Sequence, residues 1–312
     1  MALEKDIATR EAYGQFLVEY GKDRKDLIVM NADLSGSNKT DAFEKAYPER
    51  FVEIGISEQD MLAEAAGIAH SGHVVAASSF TMFASGRGFE IIRNSIAHTK
   101  ANVKVCATHC GVTVGEDGAT HQTFEDLAIM RTMPGMTVLH PADANSTKAL
   151  LKQLFDAEGP AYARLSRSGV PRVYDESAAS KLKLGKGNVV REGSDLTIIA
   201  TGIMVGAAIE AAETLAADGI NARIIDMHTI KPLDEEIIVK AAKETGKILT
   251  AEEHSVIGGL GSAVAEVLVR KCPVPVAMVG QHDTFGESGK PDELLEKYGM
   301  TPADIVAAAK SL

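Results

Sequence analysis

The stretch that indicates the fold most clearly is VKVCATHCGVTVGEDGATHQTFEDLAIMRTM, residues 103–133. It starts as a β-like segment, 103–109, and ends as a helix-like segment, 123–133. Between them, GEDGATHQ at 115–122 collects two acids, one histidine and two glycines. Turn chemistry explains part of this loop, because glycine tolerates positive φ and aspartate forms local hydrogen bonds. The octamer by itself leaves open whether the loop also holds a ligand.

The strand-to-helix succession of this stretch recurs along the chain. Further strand-like segments lie near 27–30, 74–78, 136–139 and 161–165, and helix-like segments lie near 58–71, 82–98 and 143–157. This succession predicts a parallel sheet with helices on both faces. We therefore assign the first part of the chain to the α/β class.

A second alternation follows a stretch, 166–195, that is rich in Gly, Ser, Lys and Arg and has no sustained apolar period. Strands are predicted at 196–202, 221–230, 247–254 and 274–280, and helices at 203–219, 233–246 and 258–272. The sequence thus predicts two doubly wound α/β domains with mainly parallel sheets. Their expected bounds are 1–175 and 190–312, with a linker at 176–189.

Composition excludes several classes of function. The 312 residues carry a formal net charge of -11 and no basic block, which argues against binding to nucleic acid or anionic lipid. No signal peptide and no apolar stretch of about 20 residues is present, so we expect a cytoplasmic protein without a membrane span. The three cysteines suggest reduced thiols, and without a second Cys pair no zinc site is expected beside Cys106 and Cys110.

Several residues at predicted strand ends or helix starts are candidates for chemistry. Glu58 follows Ser57, which is placed to cap a helix, so the acid is either a simple capping group or a carboxylate aimed at a ligand. Phe80 and Phe83 are spaced for one helix face and either pack in the core or form a wall for a flat ring. GGLGSAV at 258–264 is either a phosphate-binding turn or a close packing turn.

Polar residues at other predicted strand ends suggest acid–base chemistry and anion binding. His109 ends the strand at 103–109, and His121 and Asp117 lie in the octamer. Histidine serves as an acid or base near neutral pH. Arg10, Ser37 and Arg167 lie where they could meet at one sheet edge and suit a phosphate or carboxylate, although solvent exposure explains each of them equally well.

The order and spacing of these motifs resemble the C-terminal portion of transketolase. The stretches that carry the resemblance are ATR (8–10), ADLSGSN (32–38), GISEQDM (55–61), SFTMF (79–83), ATHCGVTVGEDGATHQ (107–122), HPAD (140–143) and RLSR (164–167). The resemblance covers essentially the whole chain. It implies a pyrimidine-binding domain followed by a transketolase C-terminal domain.

The resemblance implies a role in binding thiamine diphosphate for one set of residues. Glu58 matches the catalytic glutamate that hydrogen-bonds N1′ of the aminopyrimidine. Phe80 and Phe83 match the aromatic pocket for that ring. Leu34 and Asp33 match residues near the thiazolium and the substrate channel. The cofactor would supply the carbanion chemistry, and the protein would supply position and electrostatics.

A second set of residues is implied in binding the sugar. His109 and Asp117 match groups that hydrogen-bond sugar hydroxyls, and His121 matches a catalytic histidine near the reacting hydroxyl and carbonyl of the donor. The phosphate clamp of the family is matched by Arg10, Ser37 and Arg167. The resemblance therefore implies transfer of a two-carbon ketol unit from a ketose phosphate to an aldose phosphate.

Full-length transketolases have a further N-terminal domain that binds the pyrophosphate through Mg²⁺, and this chain begins at the second domain of the family. The resemblance thus implies one subunit of a split enzyme, with Mg²⁺ ligands in an N-terminal partner subunit and none here. Since family members are dimers, we expect an α2β2 heterotetramer. The resemblance also suggests a place in the pentose phosphate pathway.

Two positions depart from the family pattern. Many members have Tyr where this chain has Gly86, and Asp where it has Cys110. The first departure affects a wall of the ring pocket, and the second affects sugar preference or the hydrogen bonds beneath the loop.

Three alternatives to a transketolase subunit stay open: a 2-oxoacid dehydrogenase E1 β-like subunit, a deoxyxylulose phosphate synthase-like subunit, and a non-catalytic regulatory subunit. His254 is expected to be a hydrogen-bonded histidine at a strand end.

Overall fold

Residues 3–4 and 6–312, which the computed structural model describes, form two open sheets of seven and five strands. The strands are β1 (Leu27–Asn31), β2 (Phe51–Glu53), β3 (Val74–Phe80), β4 (Val103–Thr108), β5 (Thr137–Leu139), β6 (Ala161–Leu165), β7 (Asn188–Arg191), β8 (Leu196–Ala200), β9 (Ala222–Asp226), β10 (Thr229–Lys231), β11 (Ile248–Ser255) and β12 (Val276–Gln281). The strands predicted in the first half, at 27–30, 74–78, 103–107, 136–139 and 161–165, are confirmed.

Helices cover both faces of the sheets. They are α1 (Thr9–Asp23), α2 (Ser35–Asn38), α3 (Asp41–Ala46), α4 (Glu58–His70), α5 (Phe89–Ile91), α6 (Asp126–Thr132), α7 (Ala144–Asp156), α8 (Glu176–Ala179), α9 (Met204–Ala217), α10 (Glu235–Thr245), α11 (Leu260–Lys271), α12 (Pro291–Lys297) and α13 (Pro302–Ser311). The helix-like segment predicted near 82–98 is helical but not one regular α-helix, because π-helical turns at Met82–Arg87 and Ile92–Ala97 flank the short α5. Gly86 and Gly88 lie in this region and lower its helix propensity.

The larger sheet has the order β10-β5-β6-β4-β3-β1-β2, and its strands are parallel except for β10. The smaller sheet has the order β12-β11-β8-β9-β7, with β7 antiparallel at one edge. β3, β4 and β6 are buried along their whole length, as expected for strands covered by helices on both faces. The predicted fold class, two doubly wound α/β domains with mainly parallel sheets, is confirmed.

The predicted strand at 221–230 is wrong in one respect, because it divides between the two sheets. β9 ends at Asp226, and β10 pairs antiparallel with β5 at the edge of the larger sheet. The N–H of His140 donates to the carbonyl of His228 at 2.7 Å, which fixes this crossing. The expected linker at 176–189 contains α8 and the start of β7. The domain bounds 1–175 and 190–312 stay a prediction.

In the part of the chain that the structure describes, we find no helix with both the length and the apolar character needed to cross a membrane.

Candidate active site

The carboxyl ends of three neighbouring strands bring the candidate residues together. Phe80 at the end of β3 pairs with Thr108 at the end of β4, and Thr108 pairs with Leu165 at the end of β6. His109 and Ser166 follow these strands directly and therefore lie on the same edge of the sheet. This edge is where open α/β sheets bind ligands.

Four rings form what we call the ring cluster: Phe80, Phe83, His109 and His121. The rings of Phe80 and His109 stack with centroids 3.8 Å apart and an interplanar angle of 27°. Phe80 and Phe83 lie 6.0 Å apart and nearly parallel, at 17°. The edge of His121 meets Phe83 at 5.2 Å and Phe80 at 6.2 Å. The structure thus brings together two predicted ring-pocket residues and two predicted sugar-binding histidines.

Hydrogen bonds determine which nitrogen of His109 carries the proton. The Thr108 hydroxyl donates to Oδ1 of Asn38 at 2.6 Å, since an amide oxygen only accepts. Its lone pair then accepts the Nδ1–H of His109 at 2.8 Å. Nε2 of His109 therefore presents a lone pair, which lies 3.2 Å from Nη1 of Arg10.

The electrostatic surroundings keep this histidine neutral. Burial lowers the pKa of His109 to about 3, with smaller contributions from the charges of Arg10, Arg167 and Lys39. His109 is therefore a hydrogen-bond acceptor at Nε2 near neutral pH. It can accept a hydroxyl proton in a hydrogen bond, but it holds no second proton to donate.

Glu58 is the first residue of α4 and is almost fully buried, with 2% of its surface exposed. Its Oε2 lies 2.7 Å from Nη1 of Arg87, whose side chain is half exposed. The guanidinium carbon of Arg87 also lies 5.0 Å from the centroid of the Phe83 ring. The carboxylate and the aromatic pair are thus joined through one arginine. Ser57 takes the N-cap position of α4, as predicted, but among the described residues its side chain makes no capping hydrogen bond.

The N-terminus of α1 is fixed at the end of β6, and this places Arg10. Thr9 and Ser166 exchange hydrogen bonds: the Ser166 N–H donates to Thr9 Oγ1 at 2.7 Å, and the Thr9 N–H donates to Ser166 Oγ at 3.2 Å. Arg10 then donates from Nη1 to the carbonyl of Ser37 at 2.9 Å, so the Ser37 contact is made by its backbone. Nε of Arg10 is buried, and none of the described residues hydrogen-bonds it.

Arg167 is tied to the loop at 112–117. Its Nη1 donates to the carbonyl of Val114 at 2.6 Å and to Oε2 of Glu116 at 2.9 Å. Arg10 contacts His109 directly, and the charges of Arg167 and Lys39 also lower the pKa of His109, so three cations lie near this histidine. Such a collection of cations suits an anionic group.

Three predicted residues lie at the edge but outside this network. Asp33 and Asp117 are exposed. The N–H of Leu34 donates to Oδ1 of Asn31 at 2.7 Å, and the N–H of Asp33 donates to Oε1 of Glu53 at 2.7 Å. Within residues 3–4 and 6–312, the side chains of Asp33, Leu34 and Asp117 make no hydrogen bond or ring contact with the ring cluster. Their roles stay predictions.

The two departures from the family pattern lie in different surroundings. A Cβ added to Gly86 would lie 2.5 Å from the terminal methyl of Met82, so Met82 fills the space beside this glycine. Cys110 is completely buried, and burial raises the pKa of its thiol to about 12. This thiol therefore lies beneath the loop and stays protonated.

The glycine turn at 258–264 is occupied by a carboxylate of the chain itself. Glu252 accepts the N–H groups of Leu260 and Gly261, both at 2.7 Å, at the start of α11. A Cβ at Gly259 would lie 2.1 Å from Oε2 of Glu252, so the turn is a packing turn. His254 donates from Nδ1 to the carbonyl of Ser255 at 2.8 Å, which confirms a hydrogen-bonded histidine at a strand end.

Three important residues were missing from the sequence prediction: Arg87, Lys39 and Glu253. Arg87 lies four residues after Phe83, one helical turn away, and that spacing was the available signal. Glu252 and Glu253 form an acidic pair within the strand ILTAEEHS, which was a signal for a buried polar contact. In the described part of the chain, no group of three or more His, Cys, Asp or Glu residues is arranged to hold a metal ion.

Comparison with known proteins agrees with this geometry. The model of the transketolase pyrimidine-binding domain matches residues 5–172, and that of the transketolase C-terminal domain matches residues 185–305. A protein of Methanocaldococcus jannaschii named "Putative transketolase C-terminal section" is 49% identical over 95% of this chain and 93% of its own length. A 6-deoxy-6-sulfo-D-fructose transketolase subunit of a Clostridium species is 43% identical over 96% of this chain and 92% of its own length.

A solved structure described as a split gene transketolase, inactive β4 tetramer, superposes with a TM-score of 0.91. It is 53% identical and covers 98% of each chain. The comparisons all assign the chain to one family: both domain models, the relatives and this structure agree. The buried Glu58 carboxylate and the ring cluster at the sheet edge are consistent with that assignment. The chain belongs to the transketolase family and resembles the C-terminal subunit of a split transketolase.

Proposed function

We propose that this chain, joined to a separate N-terminal subunit, transfers a two-carbon ketol unit from a ketose phosphate to an aldose phosphate. The observation that carries the proposal is the buried Glu58 carboxylate, which Arg87 joins to the ring of Phe83. Phe80, His109 and His121 form the ring cluster with Phe83. These features support a catalytic subunit over a regulatory one, because a regulatory subunit does not require a buried acid joined to an aromatic cluster. The family assignment favours transketolase over the E1 β-like and synthase-like alternatives.

The residues of the site fit the aminopyrimidine end of thiamine diphosphate. A flat heteroaromatic ring fits against aromatic faces, and a buried carboxylate accepts a hydrogen bond from a ring nitrogen. In the proposed complex, Phe80 and Phe83 hold the ring and Glu58 holds N1′. Leu34 and Asp33 border the thiazolium and the path to the substrate. The bound cofactor supplies the electron sink for carbon–carbon bond cleavage.

The remaining residues would bind and orient the sugar. His109 accepts a hydroxyl hydrogen at Nε2, the nitrogen that its hydrogen bonds leave unprotonated. Asp117 holds a further hydroxyl, and His121 lies at the reacting hydroxyl and carbonyl, where it moves a proton. Arg10 and Arg167, with Ser37, bind the anionic end of the sugar. The buried Nε of Arg10, for which the described residues supply no hydrogen-bond partner, supports a ligand at this point.

The proposed assembly requires a second kind of subunit. Mg²⁺ and the pyrophosphate of the cofactor would be held by the N-terminal partner, and two copies of each chain would form an α2β2 heterotetramer. One similar solved structure is described as an inactive β4 tetramer of a split gene transketolase. That description supports the expectation that this chain alone transfers no ketol group.

A sulfonated sugar is a second candidate substrate, because one relative is named a 6-deoxy-6-sulfo-D-fructose transketolase subunit. Phosphate and sulfonate are both tetrahedral anions with oxygens that arginine binds. The substrate test therefore includes a donor of each kind.

The decisive experiment measures ketol transfer with thiamine diphosphate and Mg²⁺ for this chain, its candidate N-terminal partner and the mixture of both. The donors are xylulose 5-phosphate and 6-deoxy-6-sulfo-D-fructose, with an aldose phosphate acceptor. Activity in the mixture alone supports the proposal, and the preferred donor identifies the anion.

The same assay tests the carboxylate. Glu58→Gln in the mixture is expected to lower kcat by at least about a hundredfold, the scale of losing a positioned acid–base group. The exposed Glu64→Gln, on the same helix, is the matched control. Unchanged activity in Glu58→Gln would contradict a catalytic site built on this residue.

A further inference from the structure

The segment Gly111–Gln122, called the site loop below, carries Asp117 and His121. Its base is closed where the N–H of Gly111 donates to the carbonyl of Thr123 at 3.2 Å. On one side, His121 contacts the aromatic pair of the first sheet. The opposite side of the loop is held by residues that belong to the second half of the chain.

The first attachment is the side chain of Glu253 on β11. Its Oε1 accepts the N–H of Thr113 at 2.7 Å, in a fully buried hydrogen bond between residues 140 positions apart. Gly111, with φ +69, lies against the same carboxylate, and a Cβ at this glycine would lie 2.3 Å from the carboxyl carbon. The loop can approach so closely because glycine has no side chain and tolerates this backbone conformation.

The second attachment lies at the other end of the site loop. Nε2 of Gln122 donates to the carbonyl of Glu287 at 2.9 Å and to that of Val112 at 3.2 Å. A Cβ at Gly118 would lie 2.4 Å from Oγ of Ser288, and one at Gly286 would lie 1.8 Å from Oε1 of Gln122. Residues 286–288 thus press directly on the part of the loop around Asp117 and His121.

A buried arginine also joins the two sheets at this contact. Arg164 on β6 donates from Nη2 to the carbonyl of Glu253 at 3.0 Å and from Nε to Oδ2 of Asp126 at 2.8 Å. The N–H of Ser255 donates to the carbonyl of Phe124 at 3.0 Å, just beyond the loop. The end of β11 is therefore bonded to both sides of the loop base and cannot shift without moving it.

We infer that Glu253 and residues 286–288 are positioning residues, which set the placement of His121 and Asp117 relative to the ring cluster. The second half of the chain would then shape the sugar-binding side of the site without touching the sugar. The part of this inference that concerns the sugar rests on the proposed function. The attachment of the loop does not, and the two are tested separately.

The attachment is tested by amide hydrogen exchange on the free full-length chain. Glu253→Ala is expected to speed exchange across the site loop by about tenfold relative to the amides of β3, the effect of losing one buried hydrogen bond. Glu253→Gln keeps an acceptor oxygen for Thr113 and is expected to restore slow exchange.

Glu252→Ala is the matched control for this measurement. Glu252 is the neighbouring buried acid on β11, and its carboxylate bonds to the start of α11. It should therefore leave the exchange of the site loop unchanged relative to β3, whatever its effect on global stability. Slow exchange of the loop in Glu253→Ala, or equal acceleration in Glu252→Ala, would overturn the inference.

The consequence for the sugar is tested with the mixed subunits. Glu253→Ala is expected to lower kcat/KM for the donor ketose about tenfold, with the Kd of thiamine diphosphate unchanged and with rescue in Glu253→Gln. If Glu253→Ala lowered kcat/KM for the donor and the affinity for thiamine diphosphate equally, a role of Glu253 specific to the sugar would be overturned. Absence of transfer in the wild-type mixture would instead contradict the proposed function, while the exchange result would still decide the attachment.

Discussion

At the scale of single residues, the Glu58 carboxylate already has a cationic partner in the structure. Arg87 makes the 2.7 Å contact to Glu58 and lies over the face of Phe83, where a flat ring would stack. A ligand that uses both this carboxylate and this ring face must therefore displace or share Arg87. Because the side chain of Arg87 is half exposed, solvent competes for it and the ion pair is weak.

We expect Arg87→Ala to tighten the binding of thiamine diphosphate to the mixed subunits by about threefold, the scale of a half-exposed ion pair. Removing the guanidinium frees both the carboxylate and the ring face. The measurement is the Kd of the cofactor by titration calorimetry. Arg93→Ala is the control, because Arg93 is exposed in the same helical region. Weaker binding in Arg87→Ala would mean that Arg87 contacts the bound cofactor.

At the scale of helices and strands, glycines occur in two kinds of surroundings. Some allow the backbone to pack closely against a neighbouring group, and others have no neighbour close by. Gly259 precedes α11, and a Cβ there would lie 2.1 Å from the Glu252 carboxylate that caps this helix. Gly67 lies in the exposed interior of α4, and a Cβ there would meet nothing within 4 Å. The two helices therefore use glycine for opposite reasons.

This contrast predicts opposite effects of one substitution. Gly67→Ala is expected to raise the free energy of unfolding by about 0.5–1 kcal/mol, because alanine is the better helix former. Gly259→Ala is expected to lower it by about 1–3 kcal/mol, since the Glu252 carboxylate must move away from the N–H groups it accepts. Urea unfolding of the free chain measures both. Equal effects of the two variants would contradict the packing account of the 258–264 turn.

The elements also show where local sequence patterns predict structure well. The sequence predicts β1, β3, β4, β5 and β6 as strand-like segments and α4 and α7 as helix-like segments, as found. The assignment of β10 failed because NARIIDMHTI is predicted as one strand, while its last residues find their partner in β5, about 90 positions earlier in the chain. The sequence pattern predicts that a strand is present, but it does not indicate which sheet the strand joins.

At the scale of the whole molecule, burial also shifts the pKa of acids and histidines outside the ring cluster. Burial raises the pKa of Asp226, Glu252 and Glu253 to about 7 each. A raised carboxyl pKa stabilises the fold fully only below its unfolded value, and this contribution is lost as pH rises to the folded value. Buried His228 and His254, whose pKa burial lowers to about 4, act in the opposite sense on acidification.

Asp226→Asn isolates one of these groups. Tyr174 donates to Oδ2 of Asp226 at 2.8 Å, and the amide oxygen of asparagine can accept the same bond. We expect the variant to gain stability relative to wild type as pH rises from about 4 to 7, by on the order of 4 kcal/mol, and no further above pH 7. Urea unfolding of both proteins across this range measures the difference. A pH-independent difference would contradict a buried acid with a raised pKa.

The sequence by itself determined the fold class and, through the family resemblance, most of the residues that meet at the sheet edge. Phe80 ends β3, His109 follows β4 and Arg10 lies in the first turn of α1. The periods of these elements, about 2 and 3.6 residues, are set locally by the backbone. Parallel strands then bring their carboxyl ends to one edge. For this reason, residues far apart in the chain could be predicted to meet there.

The tertiary structure alone decided the partners of these residues. The contact of Arg87 with Glu58 spans 29 positions, and that of Thr113 with Glu253 spans 140. No local period records such pairs, because they depend on how the two sheets pack and on which buried polar group needs a partner. The proton position on His109 has the same origin: it follows from hydrogen bonds with Thr108 and Asn38 that only the packed molecule brings together.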